Sequence, residues 1–164
     1  MRAMRREAQR MSREQCETLL KNAEWGVLCL TGEDGVPYGV PVNYCWRQNA
    51  VLIHGALTGE KAEALQRNPQ VSFTVVGRHE SVPAELTTRY TSVIIRGTAS
   101  FLEGQEKCDA LTAFISRFRP DDEEASRRKA ELSLARVSMI RLDAEEITGK
   151  MSNALSKEKD PQVF

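Results

Sequence analysis

Histidine is nearly absent from this chain: among 164 residues there are only His54 and His79. A serine hydrolase triad would have to draw on His54, and no Gly-x-Ser-x-Gly turn accompanies it. Cysteine is sparse too. Cys16, Cys29, Cys45 and Cys108 lie far apart with no close pair, which excludes a Cys-x-x-Cys zinc or redox motif and suits reduced, packed thiols in a cytoplasm. The expected metal set is therefore empty. Net charge is also missing, because 23 basic residues balance 23 acidic ones. A nucleic-acid-binding surface is not expected from that balance. Apolar runs never exceed strand length, so no membrane-spanning segment is expected. The basic start, Met1-Arg2-Ala3-Met4-Arg5-Arg6, is followed by no apolar signal core, and the expected location is cytoplasmic. There is no Walker loop and no dinucleotide fingerprint.

What is present is a run of short strands with a few helices. Residues up to about Met11 are polar and read as loose or as lying on a partner. Ser12-Arg13-Glu14-Gln15 is a capping box, and Cys16, Leu19, Leu20 and Ala23 give the following helix one apolar face. Val27 to Thr31 reads as a buried strand and Gly32–Gly35 as a hairpin turn. Val36, Tyr38, Val40, Val42, Tyr44 and Trp46 alternate along a second strand that Pro37 and Pro41 interrupt. Proline cannot donate to a ladder, so that strand should lie at an edge, carry a bulge or face a ligand. Ala50–Gly55 is a third strand; Val71, Phe73 and Val75 mark a fourth. Gly77–Thr88 reads as a loop, and Tyr90–Leu102 as the longest strand, with Gly97 marking a bulge or a close backbone approach. A helix over about Gln105–Arg119 carries Cys108, Leu111, Ile115 and Phe118 on one stripe. Asp121-Asp122-Glu123-Glu124 reads as another capping box and opens a charged helix through about Glu131, a solvated helix packed on the barrel with a substrate lid as the alternative, and a last strand runs from Val137 to Leu142. The expectation is a mainly β (α+β) single domain over residues 1–150, its core about 12–143, with a polar tail at 151–164. Hairpin connections favour a six-stranded antiparallel barrel with flanking helices over a doubly wound sheet.

The segment His54-Gly-Ala-Leu-Thr-Gly-Glu-Lys-Ala-Glu-Ala-Leu-Gln-Arg-Asn-Pro69 carries the best candidate site. A strand delivers His54 and Gly55, and a short helix opens at Thr58 with Lys61 in its first turn. A lysine opposes the positive end of the helix dipole. Its presence makes sense if an anion such as a phosphate sits there. Local balance by Glu60 and Glu63 is the plainer alternative. Likewise His54 can be a hydrogen-bonded barrel residue, Asn43 a solvent-facing one and Ser92 an ordinary strand serine; spacing alone leaves both readings open.

Three runs together carry a resemblance. The Gly-x-Lys-Ala-x-x-x-x-x-Asn-Pro-x-Val-Ser spacing of Gly59–Ser72, the strand Gly39-Val40-Pro41-Val42-Asn43-Tyr44 and the strand Ser92-Val93-Ile94-Ile95-Arg96-Gly97-Thr98-Ala99 resemble the pyridoxamine 5'-phosphate oxidase-like FMN-binding split-barrel family. The Pro-Val-Asn-Tyr and His-Gly-Ala runs are similar to its nitroimidazole-resistance branch. The resemblance covers roughly residues 20–102. It implies a six-stranded split barrel that forms a homodimer with FMN at the interface. It implies that Lys61 holds the FMN phosphate, that the Pro41-Val42-Asn43-Tyr44 backbone runs along the flavin ring, that His54 and Gly55 line the cofactor, and that Ser92 and Val93 reach it from the long strand. His54 is the implied catalytic residue, as a proton donor. Glu60 stands where many oxidase relatives carry a second basic residue, which predicts weaker FMN binding. The chain ends without the family's basic substrate motif, so oxidation of pyridoxamine phosphate is not expected.

The function that follows is an FMN-dependent oxidoreductase passing electrons from a reduced nicotinamide to a small acceptor such as a nitroaromatic. A non-catalytic FMN- or haem-binding sensor on the same barrel is the alternative, and a barrel whose site has decayed is the third reading.

Overall fold

A computed structural model of the chain describes residues 4–155. Helix α1 (Arg13–Asn22) is closed at its start by the capping box: Gln15 N donates to Ser12 Oγ at 3.2 Å and Ser12 N to Gln15 Oε1 at 2.8 Å. Strands β1 (Trp25–Thr31), β2 (Pro37–Asn43), β3 (Cys45–Arg47) and β4 (Ala50–Gly55) follow, then helix α2 (Glu60–Arg67). Strands β5 (Gln70–Val82) and β6 (Thr87–Leu102) precede helices α3 (Gly104–Phe118) and α4 (Glu123–Ser133), and β7 (Ser138–Met151) completes the sheet. No described helix is long and apolar enough to cross a membrane.

All seven strands form one antiparallel sheet in the order β2-β1-β5-β6-β7-β4-β3. Its two edges, β2 and β3, are consecutive in the chain and separated by Tyr44 alone. One residue cannot span an open seven-stranded sheet, so the sheet must curl until its edges meet. This is the split barrel, with seven strands instead of six because the expected second strand breaks at Tyr44. The ring of Tyr44 is fully buried there, edge-on to Phe73 at 4.9 Å between centroids, and its hydroxyl donates to Leu20 O at 2.8 Å. Pro37 and Pro41 lie in β2, an edge strand as their missing N–H groups require. The barrel interior holds Leu28, Leu30, Val51, Ile53, Phe73, Val93, Ile95, Ile140 and Leu142, and α1 plugs it with Cys16, Leu19 and Leu20. A second cluster, Cys45, Leu52, Ala110, Leu111, Phe114, Ala130 and Met139, fixes α3 and α4 to the outside of β3, β4 and β7.

Several expectations need correction. Residues 77–88 are not a loop: β5 continues to Val82, a tight 3-10 turn covers Pro83–Glu85, and β6 begins at Thr87. This hairpin arm has no buried face, so the apolar alternation that signals a strand is absent. Its cross-strand pairs are mostly polar, and Arg89 lies 4.0 Å from its partner Glu80 and 3.4 Å from Glu85 in the turn. The last strand runs past Leu142 to Met151, paired with β6 along its length and polar on its open face. A register shift falls between Arg96 and Gly97, where an added Cβ would strike the Asp143 carbonyl, so Gly97 marks both a bulge and a close approach. The N-terminal segment is anchored: Arg10 bridges Lys150 and Met11 is buried in the core. Of the expected tail, Met151, Ser152 and Leu155 are buried, and residues 156–164 lie outside the described residues. Helix α2 starts at Glu60 with Gly59 as its cap, two residues later than Thr58. Helix α4 is capped by Asp122 accepting from Ala125 N at 2.7 Å. On α3 the residue held against the sheet is Phe114, whereas Phe118 is exposed.

Candidate functional site

Strand β4 ends by placing His54 and Gly55 beside β7, opposite Met139 and Ser138. Ser138 Oγ donates to Ala56 O at 2.8 Å and so fixes the turn toward α2. Gly59, the cap of α2, brings no side-chain acceptor. The first amides of that helix are therefore left for another partner. Lys61, in the first turn, folds back over Gly55: a Cβ on Gly55 would stand 2.7 Å from its ammonium nitrogen. Only glycine leaves that space.

The ammonium is about half buried, and burial alone holds its pKa below the ordinary lysine range. Glu60 and Glu63 make no ion pair with it and do not offset that shift. Local balance by the two glutamates is thus not what the structure shows. The His54 pKa is also lowered, first by burial and then by the Lys61 charge. The His54 ring rests against Phe114, 4.6 Å between centroids. Two basic groups and the uncapped amides of a helix start lie close together with no carboxylate among the described residues acting on either base, and an anion would stabilise all of them.

The prolyl strand reaches the same place from the other side. Asn43 and Val42 end β2 just before the β3–β4 ladder begins at Cys45, whose partner Leu52 lies two residues before His54. β2 and β4 lie against each other there without pairing. This seam is the split of the barrel, and β2 has a ladder partner on one side only. Pro41 and Asn43 face outward, while Val42 faces the core. Asn43 Nδ2 donates to Glu24 O at 3.1 Å, which ties the strand to the end of α1. Tyr44 is sealed inside, and burial raises its hydroxyl pKa strongly. Val42 and Tyr44 can therefore offer a ligand only their backbone.

Ser92 and Val93 are more distant. Val93 is a core residue, whereas Ser92 faces outward opposite Val76. Asn43 pairs with Trp25, and the β1–β5 register extended by two pairs sets Trp25 beside Val76. Asn43, Trp25, Val76 and Ser92 thus form one row across four strands, about 14 Å from end to end at about 4.8 Å per strand. Gly55 and Lys61 meet beside His54 at the end of β4, β2 with Pro41, Val42 and Asn43 lies against that strand, and Ser92 stands at the far end of the row. Periodicity does not single out Trp25, Phe114 or Ser138. A tryptophan on the exposed parity of a strand is the one sequence signal that marks Trp25.

Residues 12–151 match the family described as pyridoxamine 5'-phosphate oxidase. No functionally curated protein matches the chain. Among solved structures, a provisionally assigned 5-nitroimidazole antibiotic resistance protein from Bacteroides thetaiotaomicron is 26% identical, with 86% of this chain and 85% of that one covered and a TM-score of 0.73. A conserved hypothetical protein from Mycobacterium tuberculosis shares 17% identity over 96% of both chains at a TM-score of 0.80. An FAD- and haem-binding protein from Mycobacterium smegmatis shares 24%, with 90% of this chain and 74% of that one covered and a TM-score of 0.74. The last two likenesses are of fold.

Proposed function

We propose that this chain, which belongs to the pyridoxamine 5'-phosphate oxidase family, is an FMN-binding oxidoreductase that passes electrons from a reduced nicotinamide to a small acceptor such as a nitroaromatic. The observation that carries the reading is Lys61: a half-buried ammonium without a carboxylate partner among the described residues, at an open helix start and over a glycine that leaves it room. Those residues fit a phosphate monoester, and the free edge of β2 fits the flat ring beyond it. FMN, when bound, supplies the electron-carrying chemistry.

The chain's own residues supply the rest. Lys61 and the first amides of α2 bind the phosphate. Gly55 lets Lys61 lie close to the strand, and Ser138 holds the turn that aims it. Pro41 and Asn43, with the backbone of Val42 and Tyr44, border the ring. Phe114 keeps water from one face of His54. The pKa of His54 lies below its ordinary value because of burial and Lys61. An anion on Lys61 would remove the second cause and let the His54 pKa rise toward its ordinary value, which favours proton donation from His54 in the filled site. Glu60 is exposed and leaves the Lys61 charge intact. Ser92 contributes through a homodimer in which two such faces meet over the cofactor, whereas Val93, expected beside it, is sealed in the barrel core and serves packing. The family resemblance to nitroimidazole-resistance proteins supports an acceptor of that chemistry, and the free thiols Cys16, Cys29, Cys45 and Cys108 support a reducing cytoplasm.

Reconstitution with FMN followed by stopped-flow mixing with NADH or NADPH and a nitroimidazole tests the proposal. Flavin bleaching by the nicotinamide and recovery by the acceptor are expected. Bound flavin that neither nicotinamide bleaches leaves the non-catalytic flavin- or haem-binding reading.

A further inference from the structure

Only two aromatic side chains, Trp25 at 55% and Phe118 at 45% of their surface, are exposed among the described residues. Both stand at the seam. Trp25 is the ladder partner of Asn43 on β2, the strand that lies against β4, which carries His54. Phe118 lies one helical turn beyond Phe114, its ring 5.4 Å from that ring, which in turn covers His54 at 4.6 Å. Arg117 fastens this end of α3 to the same corner, donating to Lys21 O at 2.7 Å and Ala23 O at 2.6 Å. Its guanidinium sits 5.7 Å from the Tyr44 ring and 6.0 Å from the Phe118 ring. Trp25 therefore follows the Arg117 anchor by two residues, and Phe118 follows Arg117 by one.

Large apolar side chains left in water cost free energy unless something covers them. Here they are flat, and they stand near the strand end where Lys61 holds an ammonium with no carboxylate partner among the described residues. Leu57, exposed in the turn between β4 and α2, adds a third apolar rim. We propose that Phe118 and Trp25 are the specificity-determining walls of the acceptor subsite beside His54, and that they select flat aromatic acceptors over saturated ones of the same size and polar group. This deepens the flavin reading of the same seam and rests on it for the acceptor's role. The selection itself rests on the two rings.

Nitrobenzene and nitrocyclohexane test it, because they share the nitro group and differ in flatness. Binding is read in FMN-loaded protein by perturbation of the flavin absorption, and in FMN-free protein by saturable quenching of indole emission. Nitrobenzene should bind at least about tenfold more tightly, from two ring contacts of ordinary strength. Phe118→Leu keeps the apolar bulk, and Trp25→Leu removes the second wall. Either change should cut the preference to about threefold or less, with FMN affinity unchanged in Phe118→Leu. Equal affinity for the two probes in the native protein overturns the inference, as does a preference that survives both substitutions. A protein that retains no flavin but still shows saturable, nitrobenzene-selective quenching sinks the flavin reading and leaves the aromatic walls standing. A protein that holds FMN yet shows no preference does the reverse.

Discussion

Replacing Lys61 by Met keeps the length and apolar stem of the side chain and removes only the charge. In the free protein the ammonium is held about half buried with no carboxylate partner, and burial lowers its pKa. Its removal should leave the unliganded fold as stable as before or slightly more so. Binding should suffer instead. A charge-assisted contact to a phosphate contributes about 1–3 kcal/mol, roughly five- to 150-fold in Kd. The effect stays within that range because the uncapped amides of α2 still face the phosphate. The assay is quenching of flavin fluorescence, run with FMN and with riboflavin, which lacks the phosphate. Lys61→Met should weaken FMN by that factor and leave riboflavin unaffected, so that the two ligands approach equal affinity. If both ligands weaken alike, or if neither does, Lys61 is not the phosphate anchor.

Four other changes separate the parts of the site. Because the His54 pKa is lowered in the fold, the unfolded chain binds more protons between the folded value and about 6.5; denaturant titrations of the free protein should show stability falling as pH drops through that window. His54→Gln should flatten the slope, and an unchanged slope refutes the assignment. Gly55→Ala places a Cβ 2.7 Å from the flexible end of Lys61, so stability should change by about 1 kcal/mol or less while FMN affinity drops. Gly97→Ala meets the backbone of Asp143 instead, and a loss of about 3 kcal/mol or more is expected by thermal unfolding. Tyr44→Phe removes the donor to Leu20 O, which should cost about 1–3 kcal/mol without altering FMN affinity, since only the backbone of Tyr44 is assigned to the cofactor.

How far the sequence could be read depended on whether a segment buries one face. The capping box at Ser12, the hairpin at Gly32–Gly35 and the strand at Ala50–Gly55 all follow from local patterns that the structure repeats. The prolines at 37 and 41 marked an edge strand for a reason that holds in three dimensions. The arm at 77–88 and the second half of β7 escaped, because strands exposed on one or both faces lose the apolar alternation. At the site, Lys61 stood out as a charge in the wrong half of a helix. The break at Tyr44 was not legible, since a buried tyrosine that turns the chain from one sheet edge to the other looks like one more member of an alternating run. Trp25 carried one signal, its exposed parity on a strand; Phe118 was hidden, because its place on the apolar stripe of α3 predicts burial while the sheet takes Phe114 instead.

The central claim is that the seam between β2 and β4 holds FMN through Lys61. The most direct measurement is the absorption spectrum of the protein after incubation with FMN and removal of free ligand by gel filtration. Oxidised-flavin bands should co-elute with the native protein at close to one FMN per chain and be lost from Lys61→Met at the same concentration. Protein that elutes without flavin after such loading contradicts the claim.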